Sequence, residues 1–506
     1  MSPISNLQSP ISRRDWLASL LVSALALLVY VLTLAPDITW MHDGGDGGDL
    51  IVAVMTGGVP HPPGYPTYLL LTWPLVQLPW ESPAWRLNLF SALVAASAAG
   101  FTTLTVIHLA RQMGYPPGAA SIAGASAGLA LAFSPVLWSQ AVITEVYALT
   151  ALFAALLVFL AIDHPDKPAL YGLTLGLALG TSPLLIWAGL MVPLALGRHI
   201  KQWAWASVGL LIGLGVFLVL PVRALSGAPV NWGNASTLDG GWWLVSAQLY
   251  RGYAMALPLS GLIPRVAAWA GITVRQFTPV GALIGVWGMW RLWKTRRGLA
   301  LIWLAVFVGL SMFAIGYNTT DSYVYLIPAF VLWAVWVGVG LAEIVQRLDL
   351  TGFAQRLCFG SSCTAADAVQ LRRKPLLKQL VGNLSGLAAL VLPLALLLIG
   401  WPAADASTDR SAARFGQAIM AQAPEGAILL TAQDAHTFTL WYFHYVRGER
   451  PDVMVVDRDM LGMSWYRSTI ARESGLASLE SPDPLSKLAS LGRPMCRVSL
   501  TDLECK

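Results

Sequence analysis

Long apolar runs alternate with short polar ones along most of this chain. A membrane span takes roughly 17–25 apolar residues, and on that rule about 11 spans are predicted. They are 16–35, 87–110, 119–137, 145–162, 168–182, 184–198, 203–222, 268–291, 299–316, 323–345 and 383–402. The pair at 168–198 is short and broken by Ser182-Pro183. From residue 403 the pattern changes to that of a soluble domain. Residues 411–422 repeat apolar positions at helical spacing, Ala427-Ile428-Leu429-Leu430 and Val453-Met454-Val455-Val456 read as buried strands, and 434–446 reads as an aromatic-rich helix between them. That order predicts a βαβ-like unit with a parallel strand pair. The expected fold is an α-helical polytopic membrane protein, residues 1–402, followed by a small α/β domain, residues 403–506.

The basic residues orient this frame. Arg13 and Arg14 precede the first span, and alternate connections carry Arg111, Lys167, Arg198 with Lys201, and Arg291 to Arg297. A linker at 346–382 holds six more, from Arg347 to Lys378. The positive-inside rule then places the N-terminus and this linker in the cytoplasm. Residues 36–86, 138–144, the turn near 182, 223–267, 317–322 and the tail from 403 fall on the other face, which is the periplasm if the membrane is a bacterial inner membrane. Only 12% of residues are charged, against about 25% in soluble domains. The net charge of +5 is explained by topology and does not call for nucleic acid. The 22 Trp fit membrane interfaces, and 223–267 is expected to hold short amphipathic helices with aromatic anchors. Cys358 and Cys363 are expected as free thiols in the linker. Cys496 and Cys505 lie in the outer tail, where a disulfide can form.

Candidate chemistry concentrates in the outer loop 36–91. Asp43, Asp46 and Asp49 stand among four Gly, and His61-Pro62-Pro63-Gly64-Tyr65-Pro66 follows. Asp46 or Asp49 suits a general base that takes a proton from an incoming hydroxyl. The alternative is a solvated turn or a cap for the helix starting at Leu50, and Asp49 is placed as the better cap, Asp46 as the better base. The three aspartates resemble part of a calcium loop but lack its terminal Glu, so no metal is expected. His61 and Tyr65 can bond a phosphate or a sugar, or form a turn packed under Trp73 and Trp80. Arg86 and Asn88 open the second span, and Arg86 with Arg223 and Arg251 can clamp a phosphate or simply reach the headgroups. Glu145 and Tyr147, at the top of the fourth span, and Asn231 with Trp232 are candidate substrate contacts; a first-turn acid or an interface anchor is the plainer alternative. Tyr317, Asp321, Tyr323 and Tyr325 are placed at the rim. There is no Walker loop, no HExxH and no dinucleotide fingerprint.

Asp46-Gly47-Gly48-Asp49-Leu50-Ile51, the His61–Pro66 loop and Arg86-Leu87-Asn88-Leu89 resemble the membrane family first catalogued as DUF2723, whose vertebrate member is a protein O-mannosyltransferase. Glu145–Leu149, Asn231-Trp232-Gly233, Leu440-Trp441-Tyr442 and Arg450-Pro451-Asp452-Val453 also look like family segments. The resemblance covers most of 16–466. It departs at Asp46-Gly47-Gly48-Asp49, where the family has Asp-Ser-Gly-Glu. It implies a GT-C-like inverting glycosyltransferase with no cofactor, using a polyprenyl-phosphate sugar, mannose being one candidate. The expected partners are the bilayer, this donor and a protein or glycan acceptor, with protein Ser/Thr first. A transporter or flippase of lipid-linked sugars, or transfer to an envelope lipid or polysaccharide, is the alternative.

Overall fold

The computed structural model describes residues 11–191, 200–348, 375–500 and 502–506. Cys358, Cys363, most of the expected linker and the end of the expected span 184–198 lie outside these residues. Among the described residues six helices are long and apolar enough to cross a membrane. They are α1 (Arg13–Leu32), α4 (Pro83–Gln112), the stretch Ile200–Ala224, Arg297–Gly316, Ser322–Arg347 and Gly386–Ala404. A seventh arises if α5 (Pro117–Ala132) and α6 (Pro135–Ala141), bent by 64°, form one broken span. The other expected spans fall on α7 (Tyr147–Asp163), α8 (Pro168–Leu179) and the 3₁₀ segment Pro183–Met191. The expected span 268–291 lies inside one longer helix, Leu259–Thr295, broken at Thr278 before Pro279. The described residues thus hold six helices of full length, or seven with the bent pair, and the remaining expected spans fall on shorter or broken helices.

The bundle has two chemically different ends. α1 and α4 pack antiparallel, with Arg111 bonded to Asp15 at 2.7 Å at one end and Asn88 bonded to the Ala35 carbonyl at 2.8 Å at the other. Near the first end Glu343 accepts hydrogen bonds from Tyr115 and Arg347, each at 2.8 Å, and forms an ion pair with Arg291 at 3.1 Å. The acidic loop and the C-terminal domain sit at the second end. The outer surface of the bundle is apolar: Leu17, Leu20, Leu21 and Leu28 of α1 are each more than half exposed. Water would not tolerate that band and lipid does.

α8 runs parallel to α9 (Ile200–Leu214), and four glycines let the backbones touch. A Cβ on Gly172 would overlap the Ala206 carbonyl, and one on Gly209 the Ala169 carbonyl. Close approach through small residues is the usual route to helix packing in membranes. Gly209→Val is therefore expected to push the pair apart and to destabilise the protein by about 1–3 kcal/mol, read as a lower unfolding midpoint in detergent.

The expected strands 427–430 and 453–456 appear as β1 (Ile428–Thr431) and β2 (Met454–Asp457), parallel and in register Ile428 to Met454. Two further strands, β3 (Met495–Val498) and β4 (Leu503–Cys505), were not expected. The order is β2-β1-β3-β4, with β3 parallel to β1 and β4 antiparallel to β3. Cys496 and Cys505 are opposite each other on β3 and β4 and form a disulfide. Their strands are too short and polar to announce themselves by alternation.

Candidate active site

The acidic loop is shaped by backbone that ordinary residues resist. His42 and Asp43 both hold φ of +60°, in the left-handed region. Neighbours fix them there: His42 Nε2 lies 3.1 Å from the Ala404 carbonyl, Gln140 donates to the His42 carbonyl at 3.1 Å, and Tyr323 donates to Asp43 at 2.6 Å. α2 (Gly47–Thr56) then begins with Asp46 at its N-cap and Asp49 inside its first turn. Asp46 makes no capping bond, so the cap assigned to Asp49 is corrected in both position and function.

Asp49 is fully buried and accepts three bonds. The His61 backbone N–H donates at 2.9 Å, His61 Nδ1 at 2.7 Å and Trp232 Nε1 at 3.0 Å. His61 Nε2 lies 3.1 Å from the Tyr65 hydroxyl and 3.6 Å from Asp46 Oδ2. The His61 ring packs edge-on to Tyr65, Trp232 and Tyr250, not beneath Trp73 and Trp80, which are half-exposed. Trp232 is delivered by the second outer loop, whose backbone pairs with Val59 through bonds of 2.9 and 3.1 Å. A buried carboxylate thus orients an imidazole, and the imidazole points at a second carboxylate whose side chain is 42% accessible.

Electrostatics follow from this crowding. Burial opposes a charge on His61, but Asp46 and Asp49 outweigh it and raise the imidazole to about 9. Burial raises the Asp46 carboxyl, partly offset by His61 and reinforced by Asp49. Glu145, 4% exposed, is held well above the ordinary carboxylate value by burial and then by Asp46. The site is one imidazolium among carboxylates, two of them disposed to hold a proton.

The remaining candidates separate. Glu145 and Tyr147 are near enough to Asp46, His61 or Tyr65 to feel them. Arg223 instead donates to the Ala53 and Gly58 carbonyls at 3.0 and 3.3 Å, closing the end of α2. Asn88 bonds Ala35, Asp37 and Thr144 and acts as a tie between connections. Asn231 donates to Ala224, while its Oδ1 is buried without a partner. Arg86 is buried with its Nε unpartnered and feels Tyr442. Arg251 is exposed, with a 3.4 Å bond to Ser246. The three arginines therefore have separate hydrogen-bond surroundings, and Arg223 is taken up by backbone carbonyls; a sequence shows cations but not the carbonyls they meet.

One contributor was missed. The helix α17 (Asp434–Trp441) of the C-terminal domain lies against the acidic loop: Trp40 Nε1 reaches the Ala435 carbonyl at 3.3 Å and Thr439 Oγ1 at 3.1 Å. A Cβ on Gly48 would stand 2.6 Å from the Phe438 carbonyl carbon. Burial, Asp46 and Asp457 together raise Asp434, the first residue of this helix, to about 6. In sequence it resembles any acid in a helical first turn. A carboxylate with a raised value costs stability as pH climbs from the unfolded value of about 4 through 6. Asp434→Asn is expected to raise the unfolding midpoint at pH 7.5, with the gain vanishing near pH 4.

Residues 46–212 match the family description "Protein O-mannosyl-transferase TMEM260 N-terminal domain", and 412–478 match "TMEM260-associated domain 2". The chain is 26% identical to the mouse protein O-mannosyl-transferase TMEM260 over 90% of its length, and 23% identical to the Dictyostelium discoideum protein of the same description over 87%. It spans 64% and 57% of those relatives. Among solved structures it is similar to ArnT from Cupriavidus metallidurans bound to undecaprenyl phosphate, with TM-score 0.54, 16% identity and coverage of 90% of this chain and 92% of ArnT. It is also similar to the Archaeoglobus fulgidus oligosaccharyltransferase tethered to an acceptor peptide, with TM-score 0.51, 13% identity and coverage of 96% and 69%. The fold is a polytopic membrane fold of the GT-C kind.

Proposed function

We propose that this chain is an inverting glycosyltransferase that moves a sugar, mannose by analogy with its relatives, from a polyprenyl phosphate to a protein Ser or Thr hydroxyl. One observation carries the reading: a buried Asp49–His61 pair sits beside an accessible carboxylate, Asp46. The acceptor oxygen attacks the anomeric carbon and its proton passes to Asp46. The bond from that carbon to the phosphate oxygen breaks, and the polyprenyl phosphate leaves with the electron pair. A phosphate leaving group needs positive charge more than a proton. His61 supplies it, with the Tyr65 hydroxyl and the Tyr250 ring beside it and Arg251 on the adjoining loop. Protonation of Glu145 spares the phosphate a further repulsion. The reading assigns no role to a metal or cofactor. The acidic end of the bundle then faces away from the cytosol, with residues 403–506 on that side.

The test is purified protein with a labelled polyprenyl-phosphate mannose and a Ser/Thr peptide. Release of polyprenyl phosphate with label on the peptide is expected. Label crossing a vesicle membrane with the donor intact would replace transfer by transport.

A further inference from the structure

The C-terminal domain carries a cavity that this reaction does not use. It measures about 370 Å³ and is lined by Gln433, His436, Arg458, Arg497, Ser499 and Glu504 together with apolar residues. Its position follows from topology. The chain leaves β1 to reach β2 on one side, while β3 lies on the other, so β1 and β3 flank the point where strand order reverses. Open α/β sheets bind ligands in the crevice outside the carboxyl ends of strands at such a point. Gln433 follows β1, Arg458 follows β2 and Ser499 follows β3, so the cavity occupies that crevice.

Two side-chain observations define the chemistry. Neither the Arg458 nor the Arg497 guanidinium has a hydrogen-bond or ion-pair partner among the described residues, although Glu504 stands opposite Arg497 on the neighbouring strand. His436 is 6% exposed, stacks on Phe415 at 4.6 Å between ring centres, and its ring nitrogens also have no hydrogen-bond partner among the described residues. The imidazole nitrogens and both guanidinium groups are thus free to bond a ligand that enters the cavity. Two arginines, a glutamine, a hydroxyl and a neutral imidazole suit an oxyanion carried on a hydroxylated body.

We propose that this crevice is a binding site for a small anionic ligand, a phosphorylated or carboxylated saccharide, separate from the Asp46 centre. The arginines engage the anion and His436 with Gln433 engages hydroxyls. The site does not depend on the reaction proposed at Asp46.

The experiment uses the full chain in detergent and phosphorus NMR titration with mannose 1-phosphate and with inorganic phosphate, plus calorimetry with mannuronate as the carboxylate arm. Saturable binding of at least one saccharide is expected, tighter than that of inorganic phosphate. It should weaken at least about tenfold in R458Q/R497Q, as loss of charge-assisted bonds implies. D46N should bind as the parent does, and His436→Gln, which keeps a polar group there, should retain part of the affinity. Both arginines lie on the surface, so the double variant is checked for the parent's unfolding midpoint. The proposal is overturned if neither saccharide binds saturably, if R458Q/R497Q binds as well as the parent, or if D46N abolishes binding.

Discussion

Asp46→Asn is expected to reduce transfer by about 10²–10⁴-fold while leaving donor affinity nearly unchanged, because general-base catalysis contributes on that scale. The amide keeps the size and the accessible position of the carboxylate but has no basic oxygen for the acceptor proton. Removing a negative charge 3.6 Å from His61 also relieves repulsion toward the phosphate, so the donor KM is expected to hold or fall. A loss confined to kcat, seen in single-turnover transfer to a peptide, is the expected result. Full transfer by D46N would remove Asp46 from the chemistry and return attention to Asp434, the other acid exposed to this cleft.

Asp49→Ala is expected to be the most damaging change to the fold of the site. The substitution deletes the acceptor of three bonds and leaves the His61 ring, its backbone N–H and the Trp232 indole unmatched inside the protein. Breaking a buried pair by removing one partner costs about 3–5 kcal/mol. The unfolding midpoint should drop sharply, and the second outer loop, held through Trp232 and Val59, should become sensitive to protease. Asp49→Asn keeps the volume and separates charge from packing. In the parent, His61 is raised to about 9. Its stabilisation is therefore complete below the unfolded value of about 6.5 and fades as pH rises through 9. In D49N that decline should begin at lower pH, which a series of unfolding midpoints from pH 6 to 10 would reveal. A parent curve flat across that range would contradict the imidazolium.

The sequence reading located the reactive loop because charge is rare here: three aspartates in seven residues stand out in a chain with 12% charged residues. It placed the polar connections at one end of the bundle, where the structure also has them, because the pattern of apolar runs and basic residues is a property of the chain itself. It kept Asp46 apart as the base but made Asp49 a helix cap, whereas Asp49 is buried against His61, since the helix begins two residues before the last of the acids and the depth of a first-turn residue is decided by what packs on it. It grouped Arg86, Arg223 and Arg251 by charge alone, whereas Arg223 is occupied by carbonyls of Ala53 and Gly58. Asp434 was out of reach, for nothing in its local sequence marks a residue that folds back onto a loop near the other end of the chain.

The seat of Gly48 on the Phe438 carbonyl also bears on how this architecture diversifies. The soluble and embedded halves meet where not even one methyl fits, so they cannot be exchanged as interchangeable parts. A chimera that grafts a foreign sheet domain onto these spans would insert normally yet be inert, unless the helix facing Gly48 were transplanted with a backbone of the same closeness.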